Sequence, residues 1–212
     1  MQEGELRKGF HRELDQIDLK VTQLFALVTE SLAAATETLL AGDRDTALAI
    51  KERDQIIDGL FADIEVLVER VLLLQSPVAS DLRYLLSVLR IVPELERSGD
   101  LAEHIAQRAI LGLGAELTPH ARGLVERLGQ LGVEMWRAAA DAYADRDPNA
   151  PQHIDELDDE VDRLHDELVD EIENKAIPRR VAIEMALVAR FYERLGDHAL
   201  HITERIARVH GS

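Results

Sequence analysis

Cysteine is absent from the 212 residues, which excludes disulfides and thiolate metal sites. Any metal held by this chain must use oxygen and imidazole ligands. Aromatic residues are scarce, at 4 %. Basic charge is also short, with 24 Lys and Arg against 41 Asp and Glu and a formal net charge of -17. Such a surface repels a phosphate backbone, so no nucleic-acid partner is expected. The first residues, Glu3, Glu5 and Arg7 among them, lack the apolar core of a signal peptide. An uncharged apolar run of about 18 residues is missing throughout. The expectation is a soluble, cytoplasmic protein with no spanning helix, for which any membrane association is peripheral. No nucleophile arrangement and no Gly-rich phosphate loop stands out either.

What is present is helical. Hydrophobic residues make up 46 % of the chain, rich in Ala and Leu, and recur at helical spacing almost throughout. A first stripe runs Ile17, Val21, Leu24, Val28, Leu32, Ala35, Leu39 and ends at Gly42. The second includes Ile50, Ile57, Ile64, Val68 and Val71 and stops near Ser76-Pro77. A third, from Leu82 to Ile105, ends in Gly112-Leu113-Gly114, with Pro93 placed to kink it. Thr118-Pro119 reads as an N-cap followed by proline at the first helical position. Three more stripes follow, broken at Asp147-Pro148 and before Pro178. The spacing predicts an all-α fold of two tandem antiparallel three-helix bundles, residues 1–114 and 115–212.

The halves repeat. Glu96-Arg97-Ser98-Gly99-Asp100 returns as Glu193-Arg194-Leu195-Gly196-Asp197, and Ala102, His104 and Ile105 return as Ala199, His201 and Ile202 at one constant offset. On the preceding helices Asp54 and Asp58 correspond to Asp158 and Asp162. Internal duplication accounts for all of this.

Residues four apart on a helix are neighbours on one face, so Asp54 and Asp58 form one carboxylate pair and Glu96 and Asp100 another. In an antiparallel hairpin turning at Pro77, Asp58 and Glu96 are equidistant from the turn, and so are Asp54 and Asp100. The second half repeats this about the Ile177–Pro178 bond, pairing Asp162 with Glu193 and Asp158 with Asp197. Each half therefore brings four carboxylates to one level. Such groups repel one another unless a cation neutralises them, and hard oxygen ligands suit Mg, Ca, Mn or Fe. His104 and His201 lie one turn beyond each Asp and would extend the ligand set toward Fe, Ni or Zn. Gly99 and Gly196, each costly in mid-helix by about 1 kcal/mol against Ala, suggest close helix approach or room for a site.

A solvated acidic face, with Arg97 and Arg194 as surface ion-pair partners, is the plainer reading of one such motif; its repetition on both hairpins argues against it. Two alternatives to a metal-binding regulator stand beside it. One is a metal-independent helical adaptor whose acidic face docks a partner. The other is a di-metal helical-bundle enzyme, but such sites use Glu-x-x-His pointing into a bundle core. This chain offers Asp-x-x-x-His instead, and no enzymatic activity is expected.

The two Glu-x-x-x-Asp segments resemble the paired signatures of the PhoU family. Ser76-Pro77-Val78-Ala79-Ser80-Asp81-Leu82-Arg83 is similar to that family's turn into its third helix. The resemblance spans the whole chain. It implies multinuclear metal clusters, often iron, with Asp54, Asp58, Glu96 and Asp100 serving one and Asp158, Asp162, Glu193 and Asp197 the other. It further implies a homodimer that works with the ATPase subunit of the phosphate ABC transporter and with a phosphate-sensing histidine kinase, damping the starvation response when phosphate is plentiful. Two departures are visible: His104 and His201 stand where the family more often has Asn, and the second turn reads Pro178-Arg179-Arg180-Val181.

Overall fold

The computed structural model describes residues 2–174 and 177–210. Six helices follow in chain order: α1 Gln2–Ala41, α2 Arg44–Gln75, α3 Ala79–Ile110, α4 Pro119–Asp145, α5 Ala150–Asn174 and α6 Arg179–His210. No strand occurs among the described residues. The outer ends of the two expected units, Met1 and residues 211–212, lie outside them, as do 175–176 just before the second turn.

The breaks fall where local chemistry puts them. Gly42 takes φ +71° after α1 and its N–H donates to the Thr38 carbonyl, a conformation glycine adopts without steric cost. Asp43 then caps α2, its Oδ1 accepting from the N–H groups of Asp45 and Thr46. Ser76 is left-handed at the end of α2, and Pro77 separates it from α3. Pro93 lies inside α3, and the helix continues through it. Between the halves, Gly112 at φ +70° leads into one 3₁₀ turn, Leu113–Glu116. Thr118 Oγ1 accepts from Ala121 N–H at 3.0 Å and Pro119 opens α4.

Each half is an antiparallel three-helix bundle: α1, α2 and α3 pack on one another, as do α4, α5 and α6. The bundles are joined by α1 against α4 and α3 against α6. The stripe of α1 (Ile17, Val21, Leu24, Val28, Leu32, Leu39) is fully buried, and Phe25, Trp136 and Tyr192 are the largest side chains sealed in the core. By length and hydropathy alone the stretch Gly9–Ala41 would pass for a membrane span, but half of its apolar window is buried inside the bundle. Its hydropathy is that of a central core helix.

Polar ties cross the junction between halves. Thr36 Oγ1 and Tyr192 OH are 2.8 Å apart, and Tyr143 and Tyr84 both donate to Asp18 Oδ1, at 2.8 and 3.1 Å. Hydroxyls sealed in a core need such partners. Gly129 on α4 lies directly over Thr36: a Cβ there would sit 2.4 Å from both Thr36 Oγ1 and Cγ2. Thr36 cannot yield, because its hydroxyl is held by Tyr192 and the Leu32 carbonyl. At an open helical position Gly→Ala stabilises by up to about 1 kcal/mol. Urea denaturation should therefore show Gly129→Ala destabilised by about 1–3 kcal/mol, whereas Gly123→Ala, which faces open space, should be neutral or stabilised.

Candidate metal centre

The carboxylates sit beside the core rather than far from it. Asp54 lies between Ile50 and Ile57, both buried on α2, and Glu96 and Asp100 flank the buried Leu95, Ser98 and Gly99 on α3. Packing the apolar stripes of α2 and α3 together draws these edges into contact. In the first bundle, oxygens of Asp54, Asp58 and Asp100 all lie within 4.8 Å of one another. Glu96 is near enough to raise the pKa of Asp54. The equidistance about Pro77 thus holds in space.

Burial is deeper than a solvated face would give. Asp54 Oδ1 is sealed from solvent and has no hydrogen-bond partner. Burial first, then the charges of Asp100, Asp58, Glu103 and Glu96, push its pKa up to about 7. Glu96 and Asp100 are shifted upward too, again chiefly by burial. In the second bundle Asp158 is likewise pushed to about 7 by burial and then by Asp162, Asp197, Glu193 and Asp155. There Glu193 turns one oxygen to Arg190, while its Oε2 is buried without a partner.

The two mid-helix glycines now have a reason. A Cβ on Gly196 would lie 2.4 Å from Asp158 Oδ1, and one on Gly99 would lie 3.2 Å from Asp54 Oδ1 and 2.9 Å from Ile57 Cδ1. Each glycine is the hollow that receives the inner aspartate of the facing helix. An inward, unpartnered carboxylate oxygen amid several like charges fits a hard cation, whose charge would offset the repulsion.

Of the two histidines, His104 is exposed but close enough to Asp100 for its charge to lower that group's pKa. Its ring packs on Phe191 of the other bundle, centroids 5.6 Å apart. His201 is exposed. Sequence reasoning missed other groups. Glu103 is a fifth carboxylate of the first cluster, and Asp155 of the second. Their counterparts in the opposite repeats are Leu200 and Lys51, so a search for repeated residues passes over both. His198, buried between the halves, places Nδ1 2.9 Å from Ser98 Oγ and Nε2 3.7 Å from Glu94. Its counterpart is Leu101, and only its place on a buried stripe marked it.

A duplicated three-helix bundle with one carboxylate cluster per repeat defines the class of fold. Similarity makes the assignment specific: the PhoU domain matches residues 21–109 and 125–206, and the chain belongs to the PhoU family. A phosphate-specific transport system accessory protein PhoU homolog of Zymomonas mobilis is 30 % identical over 207 residues, 96 % of this chain and 87 % of that protein. Its counterpart in Synechocystis is 31 % identical over 216 residues, covering 96 % of this chain and 92 % of the other. The crystal structure of PhoU from Pseudomonas aeruginosa superposes with a TM-score of 0.87 at 29 % identity, covering 94 % of this chain and 98 % of that one.

The raised pKa values carry a sign. Unfolded, Asp54 and Asp158 have the ordinary value of 3.8; folded, they hold their protons to about 7. Between those limits the folded state binds more protons, so this contribution to stability is present on the acid side and is lost as pH rises through 7. The melting temperature of metal-stripped protein should fall between pH 5 and 8, and Asp54→Asn with Asp158→Asn should flatten the slope. A flat profile in stripped wild type would mean that both aspartates ionise freely.

Proposed function

We propose that the chain is the accessory and regulatory protein of a phosphate-specific transport system, and that it holds metal cations on its two carboxylate faces. The observation that carries the metal reading is Asp54 Oδ1, buried and unpartnered in a cluster whose ligand oxygens converge within 4.8 Å. The transport-system reading is supported by the names of relatives aligned over nearly the whole chain. Asp54, Asp58, Glu96 and Asp100 would hold one site, and Asp158, Asp162, Glu193 and Asp197 the other. His104 and His201 stand at the edges as further ligands. The donor set is hard oxygen with imidazole nearby, suited to iron in a multinuclear cluster or to another divalent cation.

Within this reading the chain's own residues do three things. The glycine hollows set the inner aspartates, the outer acids supply charge, and cation binding displaces the protons that Asp54 and Asp158 otherwise retain. Filling both clusters would remove much of the like-charge repulsion on the α2–α3 and α5–α6 faces. That couples metal content to the surface offered to partners. Those partners are a second copy of the chain, the transporter's ATPase subunit and the phosphate-sensing kinase, in the cytoplasm and at the membrane only peripherally. The protein is read as a regulator without catalysis, in keeping with relatives named as accessory proteins.

The metal-independent adaptor keeps one observation of its own. Leu73, Leu74 and Val78 at the α2–α3 tip are 81 %, 71 % and 74 % exposed, an apolar end that suits protein contact.

Elemental analysis by mass spectrometry on untagged protein, purified without chelators, separates the two readings. Wild type should carry more than one equivalent of transition metal per chain, and Glu96→Gln with Asp100→Asn should lose about half of it with the fold intact. Protein that is metal-free and resists reloading would transfer the function to the docking surface alone.

A further inference from the structure

The N-terminal half of α3 runs beside the C-terminal end of α6, and between them lies a cleft of about 210 Å³. Arg83, Ser87 and Arg90 line it from α3, and Arg205 and Arg208 from α6; no carboxylate does. This stands out in a chain of net charge -17. Arg208 is paired with Glu204 at 2.7 Å. Arg83 and Arg90 make no hydrogen bond or ion pair among the described residues, and Arg205 Nε is buried without a partner. Guanidinium groups remain charged at all physiological pH values and present several donors each, so an open cluster of them favours an anion.

The duplication supplies an internal control. The offset that carries Glu96 onto Glu193 carries Arg83 onto Arg180 and Ser87 onto Glu184, and it relates Arg205 to Arg108. At that other end Glu184 lies 3.2 Å from Arg108 Nε, and Glu116 pairs with Arg180. One copy of the cleft therefore carries its own carboxylate. In the other a neutral serine stands in that place, and Arg83, Arg90 and the Nε of Arg205 are left open.

We propose that the Arg83–Arg205 cleft is a binding site for a multiply charged oxyanion, a phosphate group either free or borne on a lipid headgroup. A single carboxylate would leave most of the positive charge unmet, whereas a phosphate offers several oxygens to converging arginine forks. The cleft has room for one such group, and Leu86 forms an apolar wall beside it.

The test titrates inorganic phosphate and pyrophosphate into full-length protein at low salt by calorimetry, and measures co-sedimentation with vesicles of phosphatidate in neutral lipid. Arg83→Gln with Arg205→Gln should weaken whichever probe binds by at least about tenfold, while Arg180→Gln at the opposite end should not. Binding of free phosphate assigns the free ligand; binding of phosphatidate vesicles alone assigns a headgroup. Should the double variant fail to fold, Arg90→Gln, a change at an exposed side chain, serves in its place. The proposal is overturned if no probe binds saturably or if binding survives the arginine changes. It is equally overturned if binding is lost in Asp54→Asn/Asp58→Asn but kept in the arginine variants, since the anion would then sit on a metal at the carboxylates.

Discussion

Carboxylates do not gather on their own; here the packing of apolar stripes forces them together. On α2 and α3 the acids occupy the helical positions bordering the buried stripe, so the same side-chain burial that closes the hairpin drives Asp54, Asp58 and Asp100 into one cluster. Burying an Ile or Leu is worth about 1.5–3 kcal/mol, and each hairpin buries many of them. That is ample to hold a few half-buried acids against their mutual repulsion. Burial first, and then that repulsion, raise the pKa values of Asp54 and Asp158, and Asp54 Oδ1 and Glu193 Oε2 are left buried without partners. A cation held there, as proposed, would offset that repulsion.

The second requirement is room. Facing helices would hold the inner aspartates outside the bundle if position 99 or 196 carried a side chain, because a Cβ would intrude on the carboxylate oxygen or its neighbour Ile57. Glycine is unfavourable in the middle of a helix, so its presence at both positions marks a local sacrifice of helix propensity for depth of burial. Asp158 meets the closer limit, and its site is accordingly the more sensitive to substitution of its glycine.

Duplication made two similar sites, but they have diverged in their outer groups. The fifth carboxylate comes from α3 in one cluster, as Glu103, and from α5 in the other, as Asp155. At the junction, where α3 and α6 meet, the pseudo-symmetry is broken again. His198 hydrogen-bonds Ser98 while their counterparts are leucines, and a neutral Ser87 faces arginines whose counterparts meet Glu184 and Glu116. Such differences give the two ends of the molecule distinct chemistry on one scaffold, which suits a protein read as engaging more than one partner.

The sequence by itself determined the six helices, their breaks at Gly42, Ser76-Pro77, Gly112 and Thr118-Pro119, and the duplication, and it marked the acidic pairs that border the buried stripes. These depend on helical periodicity, turn chemistry and the arithmetic of an antiparallel hairpin, all local along the chain. Tertiary structure alone decided how deeply Asp54 is buried, since that depends on a glycine of the facing helix. It also decided that His104 packs on Phe191 and that Arg83 and Arg205 share a cleft. Those contacts join residues 87 and 122 positions apart, across α3 and α6. Their meeting is set by how the surface ridges of two helices interdigitate, which no single stripe contains.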